Sequence, residues 1–167
     1  MNDAKIQIRC IRVENPHGLN VMFGMSHFIK TVEDVHEALV SAVPGIEFGF
    51  AFVEASGERL IRRTGTNKDM IRLAVQNAKN VGCGHTFFLF LKNAYPINVL
   101  PALRTVPEIV TFHAATANPL EIIIAESAQG KGVLGVIDGG SPLGVESASK
   151  EKERKAFLRK IGYKIQS

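Results

Sequence analysis

The stretch that most constrains the fold lies at residues 81–92. It reads Val-Gly-Cys-Gly-His-Thr-Phe-Phe-Leu-Phe-Leu-Lys, so two glycines and a histidine lead into an unbroken apolar run. Successive side chains of a strand point to opposite faces of its sheet. A run in which odd and even positions are both apolar therefore predicts a strand buried on both faces. We expect residues 87–91 to form a strand in the middle of a sheet.

Apolar residues at helical spacing predict three amphipathic helices around this strand. They cover residues 32–43, 67–81 and 149–161. Thr31 and Asp34 fit a capping box for the first helix, while Asn67 and Ser149 are the expected N-caps of the other two.

The remaining apolar patterns predict strands. They lie at residues 5–14, 20–29, 46–55, 59–63, 108–115, 120–125 and 133–137. Residues 120–125 and 133–137 are apolar enough to be central strands, like residues 87–91. Together these elements predict an α/β fold, with helices packed on a mixed β-sheet in a single compact domain over residues 1–167; an α+β fold is the alternative.

Composition excludes several classes of partner. Cys10 and Cys83 have neither the spacing of metal ligands nor that of a disulfide framework, so we expect a cytoplasmic protein without a bound metal. The basic residues behind the net charge of +4 are dispersed and do not alternate with aromatic ones, which argues against nucleic acid. The apolar runs fall far short of the roughly 20 residues that cross a bilayer, so no membrane contact is expected.

Polar residues at predicted strand ends are the candidate ligand-binding groups. His85 stands at the entrance of the central strand beside Gly84, where backbone N–H groups can form an anion-binding nest. An imidazole can bind a ligand, exchange a proton or accept a phosphoryl group; the alternative is a partly buried histidine bonded to a carbonyl. Ser26, His27 and Lys30 lie where the second strand gives way to a helix.

Three later loops add candidates. Asn118 is held extended before a proline, with its amide free for a ligand or for its own turn. Lys131 tips a glycine-rich turn and can neutralise a phosphate, although the turn lacks the strand-to-helix order of a P-loop and an exposed hairpin lysine is the alternative. Asp138 and Gly139 follow a strand, where a carboxylate can bind ribose hydroxyls or Mg²⁺, or form an Asx-turn. We expect His85 to lie within reach of Asp138 and the Asn118 loop.

With these residues in view, the chain resembles the small archaeal and thermophilic bacterial family called adenosine-specific kinase, over nearly its whole length. The segments that carry the resemblance are residues 24–31 (GMSHFIKT), 82–86 (GCGHT), 96–100 (PINVL), 115–119 (ATANP), 130–140 (GKGVLGVIDGG), 144–146 (GVE) and 159–164 (RKIGYK). Several such blocks in the right order are more specific than any one of them. His113 lies in the area where the family pattern often has a cysteine, which favours His85, or His27 as the alternative, as the shared functional histidine.

The resemblance implies a protein that binds adenosine or AMP and assembles into a homo-oligomer, a trimer or a multiple of one. It also implies an adenosine-specific kinase or phosphotransferase that carries a phosphoryl group on a histidine, for which His85 is the catalytic candidate. Mg²⁺ with a nucleotide phosphoryl donor is the only cofactor expected. The candidate ligand-binding residues are then Ser26, His27, Lys30, Gly84, Asn118, Lys131, Asp138, Gly139 and Glu146.

The residues show no P-loop, no protein-kinase signature and no dinucleotide fingerprint. An alternative function therefore stays open, in which the protein binds or senses adenosine or AMP without catalysis and the histidine only hydrogen-bonds the ligand. A third interpretation is a glycine-rich structural core with no small ligand.

Overall fold

Eight strands and four helices form within residues 5–165, the part of the chain that the computed structural model describes. In chain order they are β1 (Gln7–Arg12), β2 (Asn20–Ser26), α1 (Thr31–Ala42), β3 (Phe48–Val53), β4 (Ile61–Gly65), α2 (Lys68–Val81), β5 (Thr86–Leu91), α3 (Pro96–Leu103), β6 (Ile109–Thr116), β7 (Leu120–Glu126), β8 (Lys131–Asp138) and α4 (Ala148–Lys160).

Five strands form the larger sheet, in the order β4-β3-β5-β2-β6, and every neighbouring pair is antiparallel. β5 lies in the middle, and all six of its residues are buried, as are all six of β3. The prediction that residues 87–91 form a central strand is therefore confirmed.

The two faces of the larger sheet bury separate hydrophobic cores. Phe88 and Phe90 of β5 face the first core, which contains α2 and residues of β7. The alternate residues Phe87, Leu89 and Leu91 face the second core, which contains α1 and α3. One strand with apolar side chains at both parities thus serves both cores.

Helix α2 packs closely on the first-core face. Its N-cap Asn67 accepts hydrogen bonds from the N–H groups of Asp69 at 3.0 Å and Met70 at 3.3 Å. It ends at Gly82, which has the left-handed conformation with φ of 62°. The helix touches the β3 backbone at Gly49, where a Cβ would lie 2.1 Å from the carbonyl carbon of Met70.

Three strands form the smaller sheet, in the antiparallel order β1-β7-β8. The chain passes from the larger sheet to the smaller one at residues 117–119, between β6 and β7. Ile122 and Ile124 of β7 are buried in the first core. Ile123 lies between them and therefore on the outer face of the smaller sheet.

The predicted fold class, helices packed on β-sheet, is confirmed. Strand pairing is antiparallel throughout residues 5–165, which is the arrangement of the α+β alternative. One strand prediction is wrong, because β8 lies at the edge of the smaller sheet and residues 133–137 are half-buried or exposed rather than central.

Two predicted helix caps are also wrong. The N-cap of α1 is Lys30, which makes no side-chain capping hydrogen bond, and Thr31 is the first residue of the helix, with its hydroxyl donating to the Phe28 carbonyl. The N-cap of α4 is Ser147 rather than Ser149, and its hydroxyl accepts from the N–H of Lys150.

Residues 139–165 follow β8 and form the C-terminal arm. None of the residues of α4 is buried, although the helix carries apolar side chains. Phe157 is 58% exposed and Ile161 is 44% exposed. The arm is therefore a helix without an apolar partner in its own chain.

Candidate functional site

His85 lies at the start of β5 in a left-handed backbone conformation, with φ of 63°. Its N–H donates to the Val53 carbonyl at 2.7 Å, and its carbonyl accepts from the N–H of Ser26 at 2.8 Å. These bonds fix His85 between β3 and β2. Gly84 is required by packing, because a Cβ there would lie 2.9 Å from the Cβ of Ala55.

The ring of His85 is half-buried and stacks on Phe52, with ring centroids 5.9 Å apart and an interplanar angle of 15°. Neither ring nitrogen forms a hydrogen bond to any group of residues 5–165, so no carbonyl satisfies the imidazole. By contrast, His36 Nδ1 lies 2.6 Å from Thr64 Oγ1. The His85 ring is thus fixed in place by stacking and open to a ligand.

The backbone N–H groups of His85 and Thr86 take no part in the predicted anion-binding nest, which is left to the N–H of Gly84. The N–H of His85 is bonded to Val53, and the N–H of Thr86 donates to the Cys83 carbonyl at 3.3 Å. Because both donors are used inside the loop, neither is available to a phosphoryl oxygen.

The β2–α1 corner, residues 26–31, adjoins His85. Ser26 is buried, and its hydroxyl donates to the Glu108 carbonyl at 2.8 Å and contacts the Thr31 hydroxyl. The N–H of His27 donates to the same carbonyl at 3.0 Å, while the His27 ring is exposed. Five candidate residues therefore gather at one end of the larger sheet, namely Ser26, His27, Lys30, Gly84 and His85.

The ammonium group of Lys30 lies between two carboxylates at this corner. It donates to Asp34 and, at 2.7 Å, to Glu108 Oε1. The hydrogen bond to Asp34, and then the one to Glu108, raises the pKa of Lys30 above its usual range. Its positive charge is therefore already offset by the protein.

Glu108 is a site residue that the sequence analysis missed. It is only 4% exposed, and its Oε2 has no hydrogen-bond partner within residues 5–165. The one available signal was a glutamate set among apolar residues directly after Pro107. A strand-edge position explained that glutamate equally well, so the sequence did not single it out.

The residues around Asp138 form a second cluster, where the two sheets meet. Asp138 Oδ1 accepts from the Thr116 hydroxyl at 2.8 Å and from Asn118 Nδ2 at 3.0 Å. The N–H of Asn118 donates to the Thr116 hydroxyl at 3.0 Å. Gly139 takes φ of 64°, and its N–H donates to the Pro119 carbonyl at 2.9 Å. Most of these polar atoms therefore form hydrogen bonds within the protein, at the point where the chain passes from the larger sheet to the smaller one. Thr116 is a further residue of this cluster that the sequence analysis missed.

The two clusters lie at opposite ends of β2. Val21 pairs with Thr116, while Met25 pairs with Thr86. Val21 and Ser26 are separated by about 16 Å, at roughly 3.3 Å per residue of strand. The expectation that His85 lies within reach of Asp138 and the Asn118 loop is therefore wrong within a single chain.

Lys131 borders a cleft of about 980 Å³. The cleft lies between the ends of α2 and β3 and the β7–β8 turn, and Gly84 also lines it. Its Nζ lies 3.9 Å from Glu126 Oε1. The cleft includes Val53, whose side chain points to the face of β3 opposite to that of Phe52. Because the His85 ring stacks on Phe52, the sheet separates that ring from Lys131.

Glu146 lies in the C-terminal arm, apart from the other candidates. It accepts from Arg154 Nε at 3.0 Å, and this hydrogen bond holds the pKa of the carboxyl below its usual range. Glu146 therefore orders the start of α4.

No group of three or more His, Cys, Asp and Glu side chains within residues 5–165 has the arrangement of a metal site. No helix in the same range is long and apolar enough to span a bilayer.

Comparison with known proteins decides the family. A family model described as adenosine specific kinase matches residues 11–164. The chain belongs to the adenosine-specific kinase family. A crystal structure of a member of this family, the PH1918 protein from Pyrococcus horikoshii OT3, superimposes with a TM-score of 0.92 at 41% identity, covering 97% of this chain and 100% of the other. No curated protein matches the sequence.

The match to the adenosine-specific kinase model spans both clusters and most of the C-terminal arm. The segments on which the resemblance was based thus lie inside the matched region.

Proposed function

We propose that the chain binds adenosine or AMP and acts as a phosphotransferase in which His85 accepts the phosphoryl group. The observation that carries the proposal is the His85 ring, which is half-buried and stacked on Phe52 while both nitrogens lack a partner within residues 5–165. Membership in the adenosine-specific kinase family supports adenosine as the ligand.

The chemistry requires a neutral imidazole nitrogen aimed at phosphorus. That nitrogen forms an N–P bond as the P–O bond to the leaving group of a nucleotide donor breaks, and the leaving oxygen keeps the electron pair. In the second step a ribose hydroxyl attacks phosphorus, the N–P bond breaks, and the hydroxyl proton passes to the freed imidazole nitrogen. Stacking on Phe52 limits rotation of the ring during both steps.

Mg²⁺ would accompany a nucleotide donor and neutralise phosphate charge. The protein groups around His85 do not fit a resident metal site, because Glu108 Oε1 is bonded to Lys30 and no metal-ligand cluster occurs within residues 5–165. Asp138, the predicted Mg²⁺ ligand, lies at the other end of β2. We therefore derive no step through a metal.

Thermal denaturation tests the ligand. Adenosine and AMP should raise the melting temperature, while guanosine and cytidine at equal concentration should raise it much less. A ligand at about 100 times its Kd stabilises the native state by about 2.7 kcal/mol, which such a measurement resolves. Equal shifts for all nucleosides, or none, would exclude adenosine as the ligand.

Mass spectrometry under alkaline conditions tests the acceptor. After incubation with a nucleotide donor, acid-labile phosphate should appear on His85 and be absent from His85→Gln, because an amide keeps a hydrogen bond but accepts no phosphoryl group. His27→Gln is the matched control and should label normally. Phosphate on His27 instead would move the site to the exposed ring of the β2–α1 corner.

Binding without catalysis is the second candidate function, and one observation favours it. Lys30, the cation of the sequence-predicted set at the β2–α1 corner beside His85, is paired with both Asp34 and Glu108. A site with no free cation stabilises a transferring phosphoryl group poorly. Adenosine binding without labelling of any histidine would establish this alternative.

We also propose that the protein is a homo-oligomer, a trimer or a multiple of one. The proposal is supported by the C-terminal arm, in which a helix of 13 residues has no buried side chain. Isolated helices of this length are marginal in water, so a partner is needed to keep it folded. Sedimentation at micromolar concentration should find the oligomer; a monomer at all concentrations would refute it.

A further inference from the structure

The excess positive charge of the chain lies in its C-terminal part. Residues 139–167 contain seven Lys or Arg and three Glu, an excess equal to the net charge of +4 of the whole chain. Residues 1–138 are therefore neutral as a group.

Helix α4 combines this charge with an unpartnered apolar face. Phe157 and Ile161 are one turn apart and exposed, and Lys160 lies beside them on the same side of the helix. Neither Arg159 nor Lys160 forms an ion pair within residues 5–165. The end of α4 therefore presents exposed apolar side chains next to basic side chains that form no ion pair within residues 5–165.

One surface near His85 has the complementary character. Phe28 is 51% exposed and Ile29 is 40% exposed, both at the β2–α1 corner. Glu33 and Glu37 follow on one face of α1, and neither forms an ion pair within residues 5–165. This corner offers exposed apolar side chains next to uncompensated negative charge.

We propose that α4 of one copy docks on the β2–α1 corner of a second copy. Phe157 and Ile161 would cover Phe28 and Ile29, while Arg159 and Lys160 would face Glu33 and Glu37. The occupant is a second copy because α4 lies unburied in its own chain, while its exposed apolar side chains and its cations, unpaired among the described residues, match the exposed apolar side chains and the likewise unpaired carboxylates of this corner.

Docking has a catalytic consequence, which rests on the proposed function. His85 adjoins the β2–α1 corner through the main-chain hydrogen bond to Ser26. The positive charge of Lys30, the only lysine of that corner, is offset by the carboxylates of Asp34 and Glu108. Phosphoryl transfer needs positive charge around the phosphoryl oxygens. The arm of the second copy carries four more Lys and Arg than Glu, which is two more positive charges than Glu33 and Glu37 offset, so the site is complete only in the oligomer.

Charge reversal tests the docking independently of any activity. Sedimentation of R159E/K160E should show a dissociation constant of the oligomer raised by at least about tenfold, because glutamates then face Glu33 and Glu37. E33K/E37K should have the same effect, because lysines then face Arg159 and Lys160. Combining all four substitutions should restore assembly. The matched control is Lys152→Glu, on the helix face opposite Ile161, which should assemble normally. Failure of the combined variant to recover, or equal weakening by Lys152→Glu, would overturn the proposal.

Mixing two inactive variants tests the shared site. His85→Gln has an intact arm and R159E/K160E has an intact His85, so phosphate should appear on the R159E/K160E chain only after the two are mixed. Mass identifies the labelled chain, and labelling up to about a quarter of wild type is expected for random mixing of two subunit types. No labelling on mixing, with the wild type labelled, would refute the shared site. An unlabelled wild type would reject the proposed function, while the sedimentation result would still decide the docking.

Discussion

His85 lies in a turn closed by the hydrogen bond from the Thr86 N–H to the Cys83 carbonyl, and its backbone adopts a left-handed conformation, with φ of 63°, that is uncommon for residues other than glycine. Two main-chain hydrogen bonds and the close approach of Gly84 to Ala55 impose it. Strain of this kind persists where the surrounding structure holds it, and such positions cluster at functional sites. The imidazole is thus positioned by its backbone and by one aromatic contact, rather than by hydrogen bonds to the ring.

The Cys83 thiol provides a pH-dependent test of burial. Burial raises its pKa to about 11 from the ordinary 9.0, so the unfolded chain loses this proton first as pH increases. Stability contributed by the protonated thiol is present below pH 9 and is lost between pH 9 and 11, by at most about 2.7 kcal/mol at roughly 1.4 kcal/mol per pKa unit. Urea denaturation across this pH range should show a smaller loss of unfolding free energy for Cys83→Ala than for the wild type. Parallel plots of unfolding free energy against pH for the two proteins would contradict a buried thiol.

Gly49 provides a test of close packing between α2 and β3. Gly49→Ala should lower the free energy of unfolding by about 3 kcal/mol or more, because the new Cβ meets the backbone of Met70 and neither element can move freely. Gly135→Ala is the matched control, since a Cβ at that strand position meets nothing within 4 Å. Its unfolding free energy should change by less than about 0.5 kcal/mol in urea titration. Similar losses for both would mean that α2 does not approach β3 as described.

Which residues gather around His85 was only partly predictable. Ser26, Lys30 and Gly84 were found because strand ends and glycines are visible in a sequence. Glu108 and Thr116 were missed, because their roles depend on strand register across distant segments. Register also placed Asp138 away from His85, and no local pattern reports it.

At the scale of the elements, hydrophobic spacing located the helices and strands, while side-chain chemistry at their ends was less readable. Asn67 caps α2 as predicted. Thr31 does not cap α1, since it is the first residue of the helix. The apolar pattern of residues 133–137 predicts a central strand, yet an edge strand of a small sheet carries the same pattern.

Helix α2 should depend measurably on its cap. Asn67→Ala should lower the free energy of unfolding by about 1 kcal/mol, because two helix N–H groups lose their acceptor. Gln76→Ala, at an exposed position of the same helix, is the control and should change it by less than about 0.5 kcal/mol. Equal effects in urea titration would show that the Asn67 side chain does not stabilise the helix.

At the scale of the whole molecule, the smaller sheet is held to the larger one through a single face. Ile122→Ala should therefore lower the free energy of unfolding by about 3 kcal/mol, because it opens a cavity in the first core. Ile123→Ala removes the same atoms from the outer face and should cost about 1 kcal/mol. Comparison of the two by urea denaturation checks which face of β7 packs inward; reversed values would place the core on the other side.

Strand β1 of the smaller sheet precedes every strand of the larger sheet along the chain. Arg9 of β1 is bonded to Glu126 of β7, 117 positions along the chain. On the ribosome, the larger sheet has all its strands once β6 has emerged, whereas β1 must wait for β7 with its edge and its apolar residues uncovered. In a nascent chain β1 therefore pairs only after all the strands of the larger sheet have emerged, and the interval before β7 emerges is when β1 is most exposed to chaperones and to aggregation.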